Sequence, residues 1–288
     1  MKLRVFILIL FFPFYFNAQY FEAGISLGTS NYQGDLTPTN LWTSVGDAHL
    51  AKSAFVRYNP HRFLALRLEF SHGVISASDA KAKELNYRKE RNLSFRSNIF
   101  ELALLGEINI LGFQPEGRRK MFSPYLFGGV AIFRFNPQAN FEGKWYDLQP
   151  LGTEGQGLPG YSQKYSLQQF SIPVGLGLKI ALSEKYTIAI ETGTRKTSTD
   201  YLDDVSSIYP DLDILSNQNG AIAANLSWRN QELNSEAIPP KEGDRRGDPE
   251  DRDWYIFSKI TFSFNFIQNR NSNYRRKYNR RILECPKF

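Results

Sequence analysis

Eight stretches of the chain alternate between apolar residues and polar or small ones, and the gaps between them alternate short and long. The plainest sets Leu64, Leu66, Leu68 and Phe70 against Ala65, Arg67, Glu69 and Ser71. A side-chain period of two places one set on each face of a β-strand. Here the second set is charged, so the strand separates an oily medium from a polar one. A membrane has no water to satisfy an open sheet edge. The pattern therefore predicts an all-β fold, an eight-stranded antiparallel transmembrane β-barrel with long extracellular loops.

The strands are expected at about 20–30, 49–58, 63–76, 94–111, 122–135, 165–182, 186–196 and 254–267. The first turns Phe21, Ala23, Ile25 and Leu27 outward and Glu22, Gly24, Ser26 and Gly28 inward. In the fifth, Tyr125, Phe127, Ala131, Phe133 and Phe135 alternate with Gly128, Val130, Ile132 and Arg134. In the sixth, inward glycines make room for lumen side chains. Connections 59–62, 112–121 and 183–185 are short; 31–48, 77–93, 136–164 and 197–253 are long. Outer-membrane barrels have short periplasmic turns and long outer loops, so both termini are expected in the periplasm. Glu22, Arg67, Glu69, Glu101, Glu107, Lys179, Glu191, Arg195 and Lys259 all point inward. An eight-stranded barrel is filled by its own side chains, so these charges are expected to pair into a plug rather than line a pore.

Composition agrees with such a wall. Aromatic residues make up 15% of the 288 positions, yet mean hydropathy is only −0.40. After residue 16 no apolar run reaches the roughly 20 residues that a spanning helix needs. Residues 1–18 read as a secretory signal, with Lys2 and Arg4 before an apolar core and Ala18 at the cut. The barrel then occupies 19–267 and a basic tail 268–288. That tail carries seven basic residues against Glu284, a net of +6, equal to the formal charge of the whole chain. An acidic protein partner or lipid headgroups fit such a tail, and nucleic acid does not fit an exported barrel. The single cysteine, Cys285, makes no internal disulfide.

Candidate chemistry is sparse. His49, His61 and His72 lie in separate elements with no zinc spacing. Asp47 and His49 sit where a membrane hydrolase places a general base, but no nucleophile motif accompanies them. Asp200, Asp203, Asp204, Asp211 and Asp213 offer oxygen ligands for calcium without the calcium-hand spacing. No cofactor, metal or catalytic residue is expected. Arg246-Gly247-Asp248 spells an adhesion tripeptide amid interspersed charges and reads as chance. Two segments are more deliberate: Asn31-Tyr32-Gln33-Gly34-Asp35-Leu36 and Thr199-Asp200-Tyr201-Leu202-Asp203-Asp204-Val205-Ser206. Gly34 can turn the chain and Asp35 can bond the turn backbone. Residues 202–209 read as one or two helical turns capped by Asp200.

With the signal peptide and the Glu191-Thr-Gly-x-Arg195 strand, these segments resemble the PorG-like family. Its members are small outer-membrane barrels of the Bacteroidota type 9 secretion system, which exports proteins and supports gliding motility. The resemblance implies association with a periplasmic ring built from a lipoprotein and its soluble partner. It makes Asn31, Tyr32, Gly34, Asp35 and Leu36 family-motif residues. Charge and position on the periplasmic side mark Glu116, Arg118, Arg119, Lys120, Arg275, Arg276, Lys277, Arg280 and Arg281 as ring contacts. The expected function is a non-enzymatic anchor of that ring in the outer membrane, in contact with its lipid. The alternative is a surface-exposed adhesion or ligand-binding barrel working through its outer loops.

Overall fold

The computed structural model describes residues 20–37, 47–81, 86–116 and 120–266. Within them lie ten strands: β1 (Tyr20–Gln33), β2 (His49–His61), β3 (Leu64–Ser78), β4 (Ser94–Asn109), β5 (Phe122–Arg134), β6 (Pro137–Phe141), β7 (Lys144–Asp147), β8 (Gln168–Ala181), β9 (Tyr186–Thr197) and β10 (Trp254–Phe266). All except β6 and β7 form a closed antiparallel wall in the order β1, β2, β3, β4, β5, β8, β9, β10, and β10 pairs back onto β1. This is the eight-stranded barrel that the alternation predicts. No helix among the described residues is long and apolar enough to cross a membrane; the strands do so.

The wall has the two faces of an outer-membrane barrel. Ile25, Leu27, Val56, Leu66, Leu68, Phe70, Leu102, Leu104, Leu176 and Ile260 stand exposed around the outside. Near the short turns aromatic residues gather: Phe21 meets Tyr58 with ring centroids 5.0 Å apart, and Tyr186 meets Phe264 at 5.6 Å. Such girdles mark the membrane–water boundary.

The lumen is packed. Five carboxylates (Glu22, Glu69, Glu101, Glu107, Glu191) face five cations (Arg57, Arg67, Lys179, Arg195, Lys259), and all ten are buried. Arg57 reaches Glu22 at 2.5 Å and Glu107 at 3.0 Å; Arg67 reaches Glu191 at 2.7 Å and Glu107 at 3.1 Å. Lys179 pairs with Glu107, Lys259 with Glu69, and Arg195 with Glu101. Each charge removed from water has an opposite charge beside it, as burial demands.

β5 departs from the other strands. Its Tyr125, Phe127, Ala131 and Phe133 face the lumen, while Leu126, Val130, Ile132 and Arg134 face out. Both faces are apolar, so periodicity alone does not orient this strand. Glycines on the neighbouring strands decide it. A Cβ at Gly193 would lie 2.6 Å from Phe127 Cζ, and one at Gly177 would lie 2.7 Å from the Tyr125 ring. The aromatic face needs that space, and only the lumen provides it.

At one end the wall closes with turns; at the other, the long loops fold into a cap. The cap contains the β6–β7 hairpin and four short helices: α1 (Asn86–Arg91), α2 (Leu148–Leu151), α3 (Leu212–Asn219) and α4 (Ala221–Ser227). Its core packs Leu36, Leu148, Leu202, Val205 and Leu226 onto Phe133, Phe135, Tyr255 and Phe257 at the mouth of the barrel. The helical turns expected at 202–209 do not form. Asp204 adopts φ 67°, a left-handed conformation that breaks a helix, and Leu202 and Val205 are buried in the cap core instead. The helix starts later, at Leu212, where Asp211 Oδ1 accepts from Asp213 N at 2.9 Å and Ile214 N at 3.0 Å.

Candidate functional site

Of the expected ring contacts, Glu116 and Lys120 fall among the described residues. They share the 110–121 turn, which is closed by paired backbone bonds between Gln114 and Lys120 at 2.9 and 3.2 Å. Lys120 is exposed and Glu116 half-buried. Arg118, Arg119, Arg275, Arg276, Lys277, Arg280, Arg281, Cys285 and the signal 1–18 lie outside the described residues.

At the cap the two sequence motifs meet. Tyr32, at the end of β1, places its hydroxyl 2.7 Å from Asp203 Oδ2 and 2.7 Å from Asp253 Oδ1, all three groups being buried. Asp253 Oδ2 also accepts from Leu202 N at 2.8 Å, and Asp203 Oδ1 from Val205 N at 2.9 Å. Gly34 stands against this junction, where a Cβ would overlap Asp253 Oδ1 and the Tyr32 hydroxyl. Gly34 does turn the chain, with Thr37 N donating to its carbonyl at 3.0 Å. Among the described residues the Asp35 carboxylate bonds outside its own turn: its Oδ2 accepts from Asp248 N at 2.9 Å, tying the first loop to the last. A carboxylate on a half-buried turn is better satisfied by a fixed backbone N–H than by a local one already committed to the turn. Leu36 is buried in the cap core.

A second layer holds the cap. Arg91 of α1 grips both oxygens of Asp79 at 2.8 and 2.9 Å and donates to the Arg246 carbonyl at 2.5 Å. Arg246 in turn donates to Glu154 Oε1 at 2.9 Å and to the Asp204 carbonyl at 2.6 Å. Burial raises the pKa of Asp200 to about 7 and that of Asp204 to about 6. Asp203 and Asp253 are pushed well above the usual carboxylate range, first by burial and then by neighbouring carboxylates. A tyrosine hydroxyl has one proton, so a junction of Tyr32 with two carboxyls is satisfied when one of them keeps its own.

Residues 1–228 match the family described as "Domain of unknown function (DUF6089)". The chain belongs to this family. Among curated proteins none matches. Several solved outer-membrane barrels are similar in shape. Neisserial surface protein A shares 7% identity over 85% of this chain and 97% of its own, with a TM-score of 0.41. A major outer membrane protein from Thermus thermophilus shares 12% over 86% and 100%, at 0.40. Ail, the attachment invasion locus protein of Yersinia pestis, solved with the heparin analogue sucrose octasulfate, shares 10% over 85% and 99%, at 0.38.

In this DUF6089 barrel the remaining candidates do not assemble into one centre. His49 Nε2 lies 2.6 Å from Ser76 Oγ, whereas Asp47 pairs with Lys81. Asp200, Asp203, Asp204, Asp211 and Asp213 are distributed: Asp204 accepts from Thr153 and Tyr165, and Asp211 caps α3. No group of three or more metal-ligating side chains converges among the described residues. The Arg246-Gly247-Asp248 tripeptide is folded into the cap, with Arg246 buried. Sequence reasoning missed Glu154 and Asp253, whose partners Arg246 and Tyr32 lie 92 and 221 positions away, and Arg91, which joins Asp79 twelve positions before it to Arg246 155 positions beyond.

Proposed function

We propose that this barrel is a non-enzymatic outer-membrane component of the type 9 secretion system that anchors the periplasmic lipoprotein ring. The observation that carries the reading is the resemblance of its motifs to the PorG-like family. In space those motifs form one unit, since Tyr32 of the first binds Asp203 of the second. The filled, charge-balanced lumen supports a role played through a surface rather than through a channel. A non-catalytic role is supported by the separate partners of His49 and Asp47.

In this reading the termini, the short turns and the basic tail lie in the periplasm. Glu116, Arg118, Arg119 and Lys120 work with Arg275, Arg276, Lys277, Arg280 and Arg281 on the ring. Deleting residues 270–288 leaves a heat-modifiable, inserted barrel that no longer co-purifies with the ring lipoprotein. Undiminished co-purification contradicts the assignment.

A further inference from the structure

The wall strands hold five carboxylates, and all five face the lumen, where five strand cations balance them. The other four strand cations, Lys52, Arg96, Arg134 and Lys196, point outward and are exposed. Each lies close to the cap: Lys52 is fourth in β2, Arg96 third in β4, Arg134 last in β5 and Lys196 last but one in β9. Arg96 and Lys196 rest over indole rings, of Trp145 at 5.9 Å and Trp254 at 5.3 Å. Among the described residues none of the four has a carboxylate partner. At the short-turn end the outward positions are apolar or aromatic instead, as at Phe21, Tyr58, Ile108 and Phe122. Cations on a lipid-facing wall are costly unless they reach headgroups, so this one-sided excess suits the anionic surface of a leaflet.

One of these cations stands at the head of a groove. On the outside of β1, β2 and β3, Ala54 lies in register between Ile25 and Phe70, and its methyl group leaves a gap between two large side chains. The gap belongs to a groove of about 750 Å³ that continues past Ile260 and Phe262 to Ile188. That volume lies within the usual range of small-molecule sites, about 300–1,000 Å³. One outward position nearer the cap, Lys52 lies opposite His72, and both line the groove. His72 packs in turn on Phe100, with ring centroids 4.6 Å apart, which holds the imidazole in place.

An apolar channel headed by an ammonium and an imidazole matches a molecule with a hydrocarbon chain and an anionic head that accepts hydrogen bonds. A phosphate is such a head, and an ammonium donates to it in a charge-assisted bond. We infer that this groove binds an anionic, phosphate-bearing membrane lipid, one acyl chain lying over Ala54 and the phosphate resting on Lys52 and His72. The inference goes beyond ring anchoring and does not depend on it, nor on which leaflet lies beside the cap.

The test uses the full chain, folded in dodecyl maltoside and titrated with phosphatidylglycerol, lipid A and zwitterionic phosphatidylcholine, the lipid adducts being counted by native mass spectrometry. At least one of the two anionic lipids binds more tightly than phosphatidylcholine, and Lys52→Gln and Ala54→Trp each weaken it about tenfold. Lys52→Arg retains the binding, as does Lys196→Gln, which removes the same charge outside the groove. Lys52 and Ala54 face lipid, so these variants leave the lumen network intact, and the heat-modifiable shift reports that each has folded. The inference is overturned if phosphatidylcholine binds equally well, or if Lys196→Gln weakens binding as much as Lys52→Gln. It is also overturned if Ala54→Trp abolishes a dimer of the chain instead, which would make a second copy the occupant.

Discussion

Tyr32 and Glu107 show how single residues organise the two ends of this barrel. Tyr32 joins β1 to both ends of the last long loop through Asp203 and Asp253. Tyr32→Phe removes the shared hydroxyl and leaves Asp203 Oδ2 and Asp253 Oδ1 without it, at a local cost of about 1–3 kcal/mol. Limited proteolysis between residues 199 and 253 should accelerate, while the heat-modifiable shift of the barrel persists. Glu107 accepts from Arg57 and Lys179 and forms an ion pair with Arg67 at 3.1 Å. Glu107→Gln leaves three cations short of one charge, and urea unfolding in lipid vesicles should show a loss of about 3–5 kcal/mol. The two sites differ in how readable they were. Glu107 announced itself by parity within an alternating strand. Tyr32 was visible as a motif residue, but its partners lie 171 and 221 positions away, beyond any periodicity.

At the scale of elements, the strands follow from their residues and the cap does not. Alternation placed the inward charges of six wall strands, all but β2 and β5, on the lumen face, because lipid and lumen impose opposite chemistries on successive residues. β5 escaped because both its faces are apolar, and the deciding glycines sit on β8 and β9. The β6–β7 hairpin escaped because its two-residue turn is Glu142-Gly143, both at positive φ, and glutamate is an unusual occupant of such a turn. The cap also carries a pH dependence. Asp200, at about 7, and Asp204, at about 6, lie above the ordinary aspartate value of 3.8. Folding therefore favours their protonated forms. Their contribution is complete below about pH 4 and is lost as the pH rises through 6 to 7. Hydrogen exchange of residues 199–209 should be slower at pH 5 than at pH 8, after correction for intrinsic rates. Asp200→Asn with Asp204→Asn should flatten that difference; an unchanged or reversed slope contradicts the protonation assigned to the cap.

At the scale of the molecule, one end is bound up with itself and the other ends in short turns. The division of long and short connections was legible in the chain, because it follows from where the alternating stretches stop. The interlocking of the long loops into a cap was not, since it rests on contacts between the first, second, third and last of them. The central claim is that the short-turn end holds the secretion ring. Photo-crosslinking in intact envelopes tests it directly, with p-benzoylphenylalanine placed at Lys120 on that end or at Leu233 on the cap. Capture of the ring lipoprotein, identified by mass spectrometry, from Lys120 and not from Leu233 is the predicted result. Capture from Leu233 alone, or from neither position, would contradict it.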